Sequence, residues 1–207
     1  MCLKCFHLPV EAEVRREDVL LRQSAAINAK IDGSVVAVLG CGGLGSNAAN
    51  ILARLGVTKL IIYDYDVVEA SNLNRQNYGI DDIGRPKVEV TKKRLESQLP
   101  AVKVSARHQL VTAEELAAVY EEADIFVEAF DSVEAKMLAY DFFAERQKPY
   151  ICTTGVAGPY GEIGRKDFGN IHVVGDFQGE DRKDCYAPKV VAIAALECQI
   201  VLELLMK

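Results

Sequence analysis

The chain is predicted to be an α/β protein built on a doubly wound, mainly parallel sheet. Two observations predict this. Short apolar runs alternate with helix-length segments from Val35 to the C-terminus, the pattern of βα units whose strands run parallel. A glycine-rich turn, Gly40-Cys41-Gly42-Gly43-Leu44-Gly45-Ser46, follows the first apolar run directly, and such a turn between a strand and a helix belongs at the carboxyl edge of a parallel sheet.

The elements follow in order. Val35–Leu39 is an apolar strand; Leu44, Ala48, Ile51 and Leu55 then recur at helical spacing, and Gly56 suits the end of that helix. Strands are expected at Lys59–Tyr63, Val102–Ala106, Ile125–Glu128 and Tyr150–Thr154. Helices are expected at Pro86–Leu99, Ala113–Tyr120, Val133–Arg146 and Pro188–Met206. Glu197, Gln199 and Glu203 interrupt the last apolar stretch, which reads as a packed or amphipathic helix and not a membrane span. Between Gly155 and Ala187 the pattern changes to scattered glycines, a charge cluster at Glu180-Asp181-Arg182-Lys183-Asp184, and one short strand, Ile171–Val174. That segment reads equally as a surface excursion closing the sheet and as a crossover over the active site. The organisation expected is an N-terminal helical arm over residues 1–30 and one Rossmann-like domain over 31–207, with 155–187 as the crossover and a C-terminal helix after it.

Composition narrows the function. With 207 residues the chain can bury a sizeable core. A net charge of −6 argues against nucleic acid as a partner, and no run argues for a membrane. Six scattered cysteines without a signal peptide read as reduced thiols in a cytoplasm.

The motifs carry the chemistry. Gly40 allows a tight turn, Gly42 lets backbone approach a ligand, and Gly45 lets the helix pack against the strand, while N–H groups at the helix start attract phosphate. Asp64 ends the next strand, about twenty residues on, where a ribose-binding carboxylate belongs. A nicotinamide dehydrogenase is the first reading this invites. Three features oppose it: the Gly43-Leu44-Gly45-Ser46 ending, the second acid Asp66 followed by Ser71-Asn72-Leu73-Asn74-Arg75-Gln76, and cations at Arg75 and Lys87 suited to phosphates.

These residues resemble the ThiF/MoeB/HesA family, bacterial relatives of ubiquitin-activating enzymes. The matching pieces are the loop Gly40 to Ser46, the block Asp64 to Gln76, the turn Gly84-Arg85-Pro86-Lys87 and the segment Glu128-Ala129-Phe130-Asp131-Ser132. The resemblance runs from about Ile31 to the C-terminus. It implies adenylation of the C-terminal glycine carboxylate of a ubiquitin-fold sulfur carrier, ThiS-like with a Gly-Gly tail, using ATP and Mg²⁺ and releasing pyrophosphate for thiamine synthesis. It further implies roles: Gly40, Gly42, Gly43 and Gly45 line the nucleotide; Asp64 and Asp66 serve its ribose side; Ser71, Asn72, Asn74, Arg75 and Gln76 lie along the phosphates; Lys87 offsets charge in the transition state; Asp131, with Ser132 beside it, holds Mg²⁺.

Where the chain departs from the family is also informative. Longer members bind zinc through two Cys-x-x-Cys pairs; here only Cys2-Leu-Lys-Cys5 has that spacing, with His7 nearby, so no zinc is expected, since a structural site needs four ligands. Cys185 is the nearest match to the family cysteine that takes the activated carboxylate or forms an acyl persulfide, and an ordinary thiol is the other reading. The resemblance also implies a homodimer in which an N-terminal arginine reaches the partner's ATP; Arg22 matches it locally and Arg16 matches its spacing. Two other functions stay open: adenylation of another carrier or peptide, molybdopterin-type among them, and a non-catalytic nucleotide-binding scaffold.

Overall fold

The computed structural model describes residues 14–156, 158–177 and 184–207. The Cys2–Cys5 pair, His7 and Glu180 to Lys183 lie outside the described residues. Two short helices come first, α1 (Arg16–Val19) and α2 (Ala25–Ile31). The alternation then runs β1 (Val35–Leu39), α3 (Gly43–Leu55), β2 (Lys59–Tyr63), α4 (Lys87–Gln98), β3 (Lys103–Arg107), α5 (Ala113–Glu122), β4 (Ile125–Glu128), α6 (Val133–Ala144), β5 (Tyr150–Thr153), β6 (Gly164–Phe168), β7 (Ile171–Gly175) and α7 (Ala187–Leu205).

The seven strands form one sheet in the order β3-β2-β1-β4-β5-β7-β6. All neighbours pair in parallel except β6 with β7. The order reverses between β1 and β4, the topological switch point at which α/β sheets open a binding crevice. Both faces are covered, so the central strands need no polar alternation: Val36, Ala37, Val38 and Leu39 are all fully buried. Val36 and Val38 pack with residues of α3, α4 and α7, while Ala37 and Leu39 pack with α5 and α6.

Every helix and strand expected between Val35 and the C-terminus is present. The third strand sits one residue later than expected, at Lys103–Arg107, and the second helix starts at Lys87, with Pro86 as its cap. β6 was not anticipated. Its sequence, Gly-Arg-Lys-Asp-Phe, has no apolar alternation because it is an edge strand paired on one side only, to β7. The described part of the 155–187 segment therefore adds a hairpin to the sheet edge, turned at Gly169 with φ of +63°. It also contributes Val156 and Cys185 to the central cleft. Near the N-terminus, Leu20 and Ile31 are buried, and Arg16 donates to the Gly56 carbonyl at 3.0 Å, where α3 ends. Among the described residues no helix is long and apolar enough to cross a membrane.

Candidate active site

Two loops meet back to back at the switch point. The Gly40 amide donates to the Tyr63 carbonyl at 2.9 Å, and the Ala129 amide donates to the Leu39 carbonyl at 2.8 Å. Gly40 has φ of +102°, and a Cβ there would stand 2.7 Å from the Ala129 carbonyl oxygen, so only glycine lets the loops after β1 and β4 pass. The cleft they open is lined by Gly40, Gly42, Gly43 and Leu44 at the start of α3. A Cβ on Gly42 would meet nothing nearer than Gln76 Nε2 at 3.9 Å. That open space beside a helix N-terminus suits an anionic ligand approaching the backbone.

Charged groups converge on this cleft from two connections, β2 to α4 and β4 to α6. Asp64 closes β2; its carboxylate accepts from the Cys41 amide at 2.6 Å and from the Asp66 amide at 2.8 Å. Burial raises its pKa, and those two amides pull it back down. Asp66 pairs with Lys87 at 2.7 Å; the lysine is 5% exposed and its amide donates to the Asp66 carbonyl at 3.0 Å. Arg75 lines the cleft, and its guanidinium donates within its own segment, to the Ser71 carbonyl at 3.0 Å and to Asn74 Oδ1 at 2.9 Å. Gln76 lines it too, with a buried Oε1 that has no partner among the described residues. Asp131 lies on the exposed rim. An exposed carboxylate at a cleft that also holds Arg75 and Lys87 fits Mg²⁺, a hard cation that takes one or two protein carboxylates plus phosphate oxygens.

The other wall is apolar, formed by Tyr63, Leu110, Val111, Phe130 and Ala135. Cys185, Val156 and Val190 close the cleft opposite.

Several expected site residues stand outside the lining or serve the fold. Gly45 packs against the loop itself. Ser71 donates to Glu69, and buried Asn72 accepts from the Glu69 amide at 3.0 Å, which shapes the turn carrying Arg75. Asn74 orients the Arg75 guanidinium. Ser132 lines the cleft but caps α6, its Oγ accepting from the Ala135 amide at 3.2 Å. Arg22 is exposed and outside the cleft of its own chain.

Sequence reasoning missed the supports beneath these residues. Tyr78 donates to the Cys41 carbonyl at 2.7 Å, and its hydroxyl lies 3.3 Å from Thr91 Oγ1, while Cys41 Sγ lies 3.2 Å from the same oxygen. This buried triad fastens the glycine loop to α4, the helix that begins with Lys87. Burial pushes the Cys41 thiol up to about 11, which keeps it an inert packing group. Asn47 donates to the Gly43 carbonyl at 2.7 Å and to the Arg75 carbonyl at 2.9 Å, tying the arginine segment to α3. No periodicity signals such bonds. The clue in the sequence was the presence of Tyr, Thr and Asn at positions otherwise suited to apolar packing.

A model described as the ThiF family matches residues 19–204. The chain is 34% identical over 129 residues to the tRNA threonylcarbamoyladenosine dehydratase of Bacillus subtilis (strain 168), covering 61% of this chain and 51% of that protein. It is 38% identical over 105 residues to the sulfur carrier protein ThiS adenylyltransferase of Escherichia coli (strain K12), covering 50% of this chain and 42% of that protein. These matches span about half or less of either relative. Among solved structures, the E. coli tRNA N6-threonylcarbamoyladenosine dehydratase in complex with ATP superposes with a TM-score of 0.84 at 21% identity, over 93% of each chain. At that identity the likeness is one of fold.

Proposed function

The chain belongs to the ThiF family, and from that premise we propose that it is an adenylyltransferase. It transfers the adenylyl group of ATP to the C-terminal glycine carboxylate of a ubiquitin-fold, ThiS-like sulfur carrier in a cytoplasm, as a step towards thiamine. The observation that carries the reading is the meeting of Asp64, Lys87, Arg75 and Asp131 around the open space at Gly42.

The residues divide the work by chemistry. The apolar wall at Leu110, Val111 and Phe130 suits a purine face, and the Asp64 carboxylate suits ribose hydroxyls. The amides at the start of α3 and the cations Arg75 and Lys87 suit the triphosphate. The carrier carboxylate attacks the α-phosphorus; an acyl–oxygen–phosphorus bond forms, the α–β phosphoanhydride breaks, and pyrophosphate leaves. Mg²⁺, held by Asp131, would supply charge neutralisation. Catalysis of this kind is positioning and charge stabilisation, so Arg75 and Lys87 act on turnover more than on affinity. Cys185, which also lines the cleft, would take the activated carboxylate in a later step, its sulfur bonding to the acyl carbon as the acyl–phosphate bond breaks and AMP leaves. Two copies pair, and Arg22, exposed in its own subunit, reaches the partner's phosphates.

A second reading is favoured by the B. subtilis relative: dehydration of threonylcarbamoyladenosine on tRNA. The net charge of −6 weighs against it, because tRNA binding rests on phosphate neutralisation. The test is ATP–pyrophosphate exchange with Asp131→Ala. Exchange should fall at least about a hundredfold with the thermal melting curve unchanged, and activity near wild type would remove Asp131 from the mechanism. Mixing Arg22→Ala with Asp131→Ala subunits should restore some exchange, and no rescue would exclude Arg22 as the shared residue.

A further inference from the structure

Glu128, buried at the end of β4, forms an ion pair with the half-buried Lys136 on α6. Glu128, the last residue of β4, is 1% exposed. Its Oε1 accepts from Lys136 Nζ at 2.8 Å and from the Phe130 amide at 2.5 Å, and its Oε2 lies 3.1 Å from the same ammonium. The ammonium goes on to Thr153, at 3.0 Å to Oγ1 and 3.2 Å to the carbonyl. Burial raises the Glu128 pKa, and Lys136 and the Phe130 amide oppose that shift.

The position of this pair is informative. The loop after β4 is held at two successive amides: Ala129 to Leu39 across the switch point, and Phe130 to Glu128. The next residue is Asp131, and the one after it, Ser132, starts α6 through its cap. Asp131 is thus fixed from both sides, and the N-terminal side depends on a carboxylate whose charge is balanced by Lys136. Through Thr153, the same ammonium reaches the end of β5. From there Thr154 continues, its amide donating to the Val174 carbonyl at 2.9 Å and its hydroxyl to the Asp176 carbonyl at 3.3 Å. A buried ion pair is a poor source of net stability compared with an apolar pair of the same size. What it adds over such a pair is a directional bond to one backbone amide, and that amide precedes Asp131.

We propose that Lys136 is a positioning residue, acting through Glu128 to hold Asp131 towards the cleft and registering that loop against the base of the crossover at Thr153. The inference rests on the reading of Asp131 as the Mg²⁺ carboxylate. Removing the ammonium leaves Glu128 without its counter-charge, frees the Phe130 amide, and lets Asp131 swing out of line. Nucleotide binding that does not involve the metal is untouched, because no atom of Lys136 or Glu128 lines the cleft.

Calorimetric binding of AMP, and of ATP with and without Mg²⁺, tests this on wild type, Lys136→Met and Lys136→Arg. Wild type should bind ATP more tightly with Mg²⁺ and AMP equally with or without it. Lys136→Met should keep its AMP affinity and lose roughly tenfold or more of the Mg²⁺-dependent gain for ATP, and Lys136→Arg should recover much of it. A Met variant that keeps the full Mg²⁺ gain overturns the proposal. So does one that loses AMP and ATP binding alike with a lowered melting temperature, since that is a purely structural role. Amide exchange at Phe130, faster in Lys136→Met and restored in Lys136→Arg, is the readout independent of nucleotide; unchanged exchange there also overturns it. If wild type itself gains nothing from Mg²⁺, it is the metal role of Asp131 that fails, and positioning towards the metal fails with it.

Discussion

Gly45 sits so close to Gly40 that a Cβ on it would stand 1.9 Å from the Gly40 carbonyl oxygen. Helix α3 can therefore start hard against the end of β1 only if position 45 has no side chain. Gly42, in the same loop, faces open cleft. Two glycines of one motif thus have opposite duties, one to the fold and one to the ligand. Gly45→Ala should destabilise the protein by at least about 3 kcal/mol or prevent soluble expression. Gly42→Ala should melt close to wild type while losing most nucleotide affinity. Chemical denaturation and nucleotide titration on both variants check this; equal loss of stability in the two would show that the loop is structural throughout.

Lys87 is held by Asp66 at 2.7 Å and is nearly buried. Lys87→Met, which replaces a buried stem with an apolar one of similar length, should change stability little and lower pyrophosphate exchange roughly 10²–10³-fold. Asp66→Asn should instead lower stability by on the order of 1–2 kcal/mol, a reduced penalty because Asp66 is partly exposed. A large stability loss in Lys87→Met with exchange intact would reassign Lys87 to the fold.

Glu197 is fully buried on α7, and neither carboxylate oxygen has a partner among the described residues. Burial holds its pKa well above the ordinary 4.5, with the nearby Glu128 charge adding to the shift. An acid whose folded pKa is raised binds more protons in the native state, so its contribution is complete below about 4.5 and is lost as pH climbs to the raised value. The melting temperature should therefore fall as pH is raised above the usual carboxylate range. Glu197→Met should flatten that fall and melt higher at alkaline pH. Parallel pH–melting curves for the two proteins would contradict it.

The parallel core was legible in the sequence because both faces of the sheet are buried, so Val35–Leu39 and Ile125–Glu128 stand out as apolar runs. β6 was not legible, because an exposed edge strand needs no apolar pattern. At the site, the ligand-facing positions Gly42, Asp64, Arg75, Lys87 and Asp131 could be found, since each carries a charge or a missing side chain that packing alone does not require. Tyr78, Thr91, Asn47 and Lys136 could not. Their work is a hydrogen bond to a backbone atom or a buried charge elsewhere in the chain, such as Tyr78 to the Cys41 carbonyl, and only the fold brings those atoms together. Asn72 and Ser132 belong to recognisable motifs, yet their side chains cap turns and helices.

On the proposed function, this cleft activates the C-terminal carboxylate of a carrier protein. The direct measurement is ATP–pyrophosphate exchange by the purified protein, with a panel of Gly-Gly-tailed ubiquitin-fold carriers, tail-truncated controls and tRNA. Exchange should depend on a ThiS-like carrier, disappear when its terminal glycine is removed, and show no stimulation by tRNA. Exchange stimulated by tRNA and by none of the carriers, or no exchange under any of these conditions, would contradict it.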